Sequence, residues 1–195
     1  MTLALFAIAA FLIGSIPFGY VIGILFFNTD IRKSGSGNIG AMNALRTIGK
    51  GGAVAVLLLD ALKGFLPPFL VLHFDLLPPY GAAIVAVAAM LGHCFSPWMG
   101  WKGGKGVATS FGAIFALCPA AGFVAIGGWV VGALVSRYSS VGSMLGSVLA
   151  AVALWYFTRD PWLTAYGIFA AAFIVYTHRE NIARLLAGRE NPIKL

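Results

Sequence analysis

Three short polar stretches carry residue types that can grip a phosphate and work on an ester bond. The first is Ser34-Gly35-Ser36-Gly37-Asn38-Ile39-Gly40, running into Ala41-Met42-Asn43-Ala44-Leu45-Arg46. Its glycines allow positive φ, so backbone N–H groups can turn toward one point. Such groups form anion-binding concavities, more so when a helix starts just after them. Asn43 and Arg46 are three apart on that helix and share a face. The second stretch is Lys102-Gly103-Gly104-Lys105-Gly106. Here the Lys105 ammonium and the N–H groups of a following helix can meet one anion. The third is the tail from Thr177 to Leu186, read as an amphipathic helix with Ile182, Leu185 and Leu186 on its apolar face. His178 and Asn181 lie on that face and point toward the protein, whereas Glu180 and Arg184 make an exposed i, i+4 pair.

Several other chemistries fail on spacing. Gly35-x-Gly37-x-x-Gly40 matches a dinucleotide fingerprint only formally, because an apolar segment and not a strand precedes it. Ala41 stands where a Walker A loop needs lysine. There is no Gly-x-Ser-x-Gly elbow. None of the three histidines has an acid five residues on, since positions 78, 98 and 183 are Pro, Trp and Ala. Asp30, Glu180 and Glu190 are too scattered for a divalent-cation site, so neither a metal nor a cofactor is expected. Asp60 and Lys63, three apart in an apolar segment, read as a structural ion pair. Ser136, Ser140, Ser143 and Ser147 form a small-residue stripe suited to close helix packing, and Ser143 is also placed to offer a hydroxyl to a substrate.

The elements that must position these residues are membrane helices. Of the 195 residues 60% are hydrophobic and 10% charged, and the mean hydropathy is +0.92. Soluble domains carry about 25% charged residues. Apolar runs cover 3–27, 53–72, 80–97, 106–136, 141–157 and 162–176, most of them near the roughly 20 residues that span a bilayer. Pro17 should kink the first, and 106–136 is either one helix kinked at Pro119 or two short spans turning at Cys118-Pro119. The first 25 residues lack a basic leader and cleavage site and are kept as a span. Cys94 and Cys118 sit in apolar surroundings and read as unpaired.

Charge distribution decides the topology. With two short spans, Arg32, Lys33, Arg46, Lys50, Lys102, Lys105, Arg137, Arg179, Arg184, Arg189 and Lys194 share one side, with only Arg159 opposite. One long helix instead divides them seven against five. The positive-inside rule therefore selects an all-α, seven-span bundle, N-terminus outside and C-terminus cytoplasmic, with 1–195 as one domain. The net charge of +7 then reflects a membrane surface and not nucleic acid. All three polar stretches fall on the cytoplasmic face.

Gly35 to Arg46, Lys102-Gly-Gly-Lys-Gly-Val-Ala-Thr109 and His178 to Glu190 resemble the three signature motifs of the bacterial acyl-phosphate:glycerol-3-phosphate acyltransferases. The resemblance covers essentially the whole chain. Met42 departs from the small polar residue usual there. The resemblance implies an inner-membrane enzyme that moves an acyl group from acyl phosphate to the 1-hydroxyl of glycerol 3-phosphate, releasing lysophosphatidic acid and phosphate. It implies no cofactor and no obligate protein partner, only the two substrates and membrane lipid. Ser36, Arg46, Lys105, His178 and Asn181 carry over as catalytic; Gly35, Gly37, Asn38, Asn43, Gly103 and Gly104, in the first two of these stretches, and Ser143, from its place in its span, are expected to bind substrate. The attacking hydroxyl gives its proton either to His178 or to the substrate phosphate. A transporter for a small phosphate-bearing anion is the alternative, weakened because its site should lie near the midplane.

Overall fold

The computed structural model describes residues 2–193, so Lys194 of the charge tally lies outside the described residues. Among the described residues nine α-helices follow one another: α1 Thr2–Gly14, α2 Phe18–Phe27, α3 Ala41–His73, α4 Pro79–Cys94, α5 Val107–Leu117, α6 Pro119–Ser136, α7 Ser139–Thr158, α8 Pro161–Thr177 and α9 Arg179–Leu186. Short 3₁₀ turns occupy Ile31–Lys33 and Pro97–Met99, and no strand occurs among the described residues.

Pro17 does more than kink the first apolar run. It separates α1 from α2, because it lacks an N–H and its ring crowds the preceding turn. The carbonyls freed by the break need partners in an apolar setting. Ser96 Oγ donates to the Ser15 carbonyl at 2.7 Å, and Lys63 Nζ donates to the Ile16 carbonyl at 2.7 Å. A second break falls inside α3, where Gly49 takes φ 80° and sets the exposed turns around Arg46 apart from the apolar remainder. Only glycine holds that conformation without strain.

The 106–136 run is two helices. Cys118 is extended, with φ −158° and ψ 100°, and Pro119 starts α6. Segments Thr2–Phe27, Ala41–His73, Pro79–Met99, Pro119–Ser136 and Ser139–Thr158 are long and apolar enough to cross a membrane. Helices Val107–Leu117 and Pro161–Thr177 are apolar but shorter. At 1.5 Å per residue the 11 residues of α5 reach about 16 Å, roughly half a hydrocarbon core.

Small residues bring the helices together. A Cβ on Gly64 of α3 would strike the Thr109 backbone of α5, and one on Gly112 of α5 would strike the Ala61 backbone. A Cβ on Gly132 would stand 2.8 Å from Cα of Gly142, and one on Gly128 3.0 Å from Cα of Gly146. Close α6–α7 packing is thus made by glycines, with Ser140, Ser143 and Ser147 buried beside them. Met90, Ile114, Leu154, Tyr166 and Ile174 fill the core, while Leu58, Phe26 and Val135 face outward. Both cysteines are free.

Candidate active site

Asn43 builds the glycine-rich loop. Its Oδ1 accepts from Ser36 N at 2.7 Å, and its Nδ2 donates to the Ile31 carbonyl at 2.7 Å. The side chain is 2% exposed. Gly35 and Gly37 take φ 62° and 70°, and a Cβ on Gly35 would land on Asn43 Oδ1. Asn38 Oδ1 accepts from Gly40 N at 2.8 Å, closing a local turn. Both ends of the Asn43 amide and the Asn38 side-chain oxygen are thus engaged in shaping the loop. Ser36 and Arg46 remain exposed. Gly40 keeps an ordinary negative φ of −80° as the residue before α3. Arg32 is occupied elsewhere. It forms a two-pronged pair with Asp30 at 2.9 and 2.8 Å and holds that carboxyl down to about 2.

Gly103 and Gly104 also serve architecture. Their N–H groups donate to the Cys94 and His93 carbonyls, both at 3.0 Å, at the end of α4. A Cβ on either would strike His93, the backbone for Gly103 and the ring for Gly104. The folding-back of this strip places Lys105 just ahead of α5. Its ammonium donates to Asn181 Oδ1, and its carbonyl accepts from Thr177 Oγ1 at 3.0 Å. Burial, and then the Arg184 charge, pull the Lys105 ammonium down to about 8.

His178 stands at the joint of α8 and α9, 4% exposed. Its Nδ1 lies 2.8 Å from the Ile174 carbonyl, which only accepts, so Nδ1 carries the proton and Nε2 keeps its lone pair. Burial, and then the nearby Lys105 charge, push the imidazole down to about 4. At neutral pH it is an uncharged acceptor. Asn181 is likewise buried, so both side chains turn inward as the helical spacing predicts. The apolar face is narrower than expected, because Leu186 is 86% exposed.

One residue at the centre of this site escaped the sequence reading. Glu190 Oε1 accepts from Asn181 Nδ2 at 2.5 Å and from Ser140 Oγ at 3.2 Å, and Oε2 accepts from Arg184 Nε at 2.7 Å. Burial raises this carboxyl, but the Asn181 and Arg184 hydrogen bonds outweigh it and hold it below the usual range. The expected Glu180–Arg184 pair is thereby corrected: Arg184 turns to Glu190, which is the more buried acid. Beyond Glu190 the chain runs over neighbouring elements. Ile193 N donates to the Arg137 carbonyl at 2.8 Å, and Arg46 reaches the Asn191 carbonyl at 3.5 Å. Ser143 donates to the Ser139 carbonyl at 2.8 Å, so Ser140, one turn earlier, is the serine that meets Glu190. These contacts join segments 31–46, 105, 137–140 and 177–193. Among the described residues, no three His, Cys, Asp or Glu side chains gather as a metal-binding group.

The sequence profile of the glycerol-3-phosphate acyltransferase family matches residues 4–188. The chain belongs to that family. Curated glycerol-3-phosphate acyltransferases similar to this member include one from Pelagibacter ubique (strain HTCC1062), 42% identical over 97% of this chain and 96% of that one. Another, from Anaeromyxobacter dehalogenans (strain 2CP-C), is 44% identical with the same coverage. Among solved structures, the glycerol 3-phosphate form of PlsY (YgiH), an integral membrane glycerol 3-phosphate acyltransferase, superposes with TM-score 0.94. It is 37% identical and covers all of this chain and 96% of that one. The lysophosphatidic acid form of PlsY gives TM-score 0.92 at 36% identity. This acyltransferase-family member shares the fold of that integral membrane enzyme: among the described residues its regular structure is all helical, with five segments long and apolar enough to cross a membrane.

Proposed function

We propose that this family member transfers an acyl group from acyl phosphate to the 1-hydroxyl of glycerol 3-phosphate, yielding lysophosphatidic acid and inorganic phosphate. The observation that carries the reading is the partly buried Lys105–Asn181–Glu190 chain beside the neutral His178, with the exposed Arg46 reaching the Asn191 carbonyl just beyond Glu190. Both substrates bring phosphate to a basic, partly desolvated site, and acyl phosphate already contains a good leaving group. No covalent enzyme intermediate is needed.

In this mechanism Arg46 and Lys105 hold phosphate charge. Ser36 donates to a phosphate oxygen or to the oxyanion that develops on the acyl carbonyl. Asn181 orients the acceptor. The hydroxyl oxygen attacks the carbonyl carbon, the bond from that carbon to the phosphate oxygen breaks, and phosphate departs with the electron pair. His178 Nε2 accepts a hydrogen bond from the attacking hydroxyl and fixes its direction. An imidazole held near 4 is a poor resting place for the proton at neutral pH, so the phosphate of glycerol 3-phosphate takes it.

The matching topology is seven crossings with α5 and α8 the short ones, the N-terminus outside and the site at the cytoplasmic face of the bacterial inner membrane. Purified protein given acyl phosphate, glycerol 3-phosphate and a chelator is expected to form lysophosphatidic acid. No product under those conditions removes the reading. Product only with added Mg²⁺ removes the metal-free mechanism.

A further inference from the structure

Asp60, Lys63 and His93 lie outside the site described above and are nearly inaccessible, each 2–4% exposed. Lys63 Nζ sits 2.7 Å from Asp60 Oδ1, and His93 Nδ1 sits 3.7 Å from the same oxygen. Lys63 also donates to the Ile16 carbonyl in the break between α1 and α2. On the other flank the His93 ring packs directly on the Gly104 backbone, and the His93 carbonyl accepts from Gly104 N at 3.0 Å. Gly104 immediately precedes Lys105. An unbroken series of contacts therefore runs from the first apolar segment to the lysine at the candidate site.

Charged groups at membrane depth are costly and are normally retained for a purpose. Closing the α1–α2 break explains Lys63. It does not explain an acid that engages a histidine on a third helix, nor a histidine ring laid against a glycine that a methyl group would displace. Lys63 satisfies Asp60 Oδ1, but His93 Nδ1, 3.7 Å from that oxygen, has no hydrogen-bond partner among the described residues.

We propose that Asp60, Lys63 and His93 are positioning residues for Lys105. The ion pair fixes the His93 ring, and the ring fixes the height of the Gly103-Gly104-Lys105 strip, so that the ammonium meets Asn181 and the substrate phosphate together. The proposal rests on the acyl-transfer reading of that site. Removing the ring should let the strip drop, and a displacement near 1 Å is enough to degrade a catalytic geometry by orders of magnitude.

The test uses the full-length protein in detergent, with wild type assayed alongside. In His93→Ala, KM for glycerol 3-phosphate is expected to rise about tenfold or more, with kcat reduced less and the melting temperature little changed. Gly104→Ala should raise KM as well, by pushing against the ring. The His93→Ala/Gly104→Ala double variant should recover part of that loss, because the space left by the ring accepts the new methyl group. Additive losses in the double variant overturn the proposal. So does a lowered melting temperature with unchanged KM and kcat per folded molecule. Should His93→Ala not fold, His93→Asn and Asp60→Asn are measured instead, and KM within twofold of wild type in both again overturns it. An inactive wild type would reject the acyl-transfer reading itself and is thereby distinguished from failure of the positioning role.

Discussion

The Lys105 ammonium donates a hydrogen bond to the Asn181 side-chain oxygen, joining residues 76 positions apart in a partly buried setting. The same asparagine donates through Nδ2 to Glu190. One amide thus stands between a cation and an anion, and a short neutral side chain orients both. Asn181→Ala removes the two bonds at once. We expect kcat/KM to fall about 100-fold, as for loss of one preorganised polar contact in a catalytic site. Steady-state kinetics at fixed acyl phosphate measures this, and a loss below threefold would leave Asn181 as a spectator.

Lys105 should define the alkaline limb of activity. Its pKa is lowered from 10.5 to about 8, so the free protein loses this charge as pH rises through about 8. The kcat/KM profile reports free-enzyme groups and should decline above that value. Stability moves the other way. Between about 8 and 10.5 the unfolded chain binds the proton that the fold has released, so the contribution of this group to stability rises with pH. Lys105→Arg keeps its charge throughout and should shift the limb to higher pH.

His178 should act on the acid side, chiefly through stability. Its folded pKa of about 4 lies below the ordinary 6.5. Above 6.5 both states are neutral and the group is silent. As pH falls from 6.5 to 4 the unfolded chain gains a proton that the fold refuses, so stability is progressively lost. His178→Gln removes that component, and melting temperature followed from pH 7 to 4 should show a shallower decline. Near-normal kcat in the same variant would exclude imidazole as the general base.

Glu190 organises the tail. It accepts from Asn181, Ser140 and Arg184, which lie on α9 and α7. Hydrogen bonds to charged groups are worth about 1.5–3 kcal/mol, and orphaned donors add to the loss. Glu190→Ala should therefore lower the melting temperature and expose residues 187–193 to proteolysis. Glu190→Gln retains some acceptor capacity and should fall between the two. A melting temperature equal to wild type in the alanine variant would contradict this account.

Packing of α3 on α5 depends on Gly64, where a Cβ would meet backbone and not a movable side chain. Gly64→Val should destabilise by about 1–3 kcal/mol or more, the usual range for overpacking. Because Thr109 lies only four residues beyond Lys105, activity per folded molecule should drop as well. Thermal unfolding and specific activity measured on one preparation separate these effects.

Much of this protein was legible in the residue order. Apolar runs of membrane length set the helices, since hydropathy is a sum over neighbours and needs no tertiary knowledge. Pro17 and Pro119 marked real breaks, because a missing N–H acts locally. Helical spacing alone turned His178 and Asn181 inward. The motif residues Ser36, Arg46 and Lys105 were visible as polar types in an apolar chain.

Roles that depend on distant partners were decided by the tertiary structure. Asn38, Asn43, Gly103 and Gly104 are read from sequence as substrate-binding, and the fold adds that the Asn43 amide, Asn38 Oδ1 and the two glycine N–H groups hold the Ser36 loop and the Lys105 strip in place. Arg184 prefers Glu190 to Glu180 because the tail folds back and buries the former. Asp60 pairs with Lys63 as their spacing predicts, but contact with His93 needs α4 packed against α3. Sequence spacing fixes which side chains share a helical face, whereas a contact between helices depends on crossing geometry set by small residues such as Gly64 and Gly112.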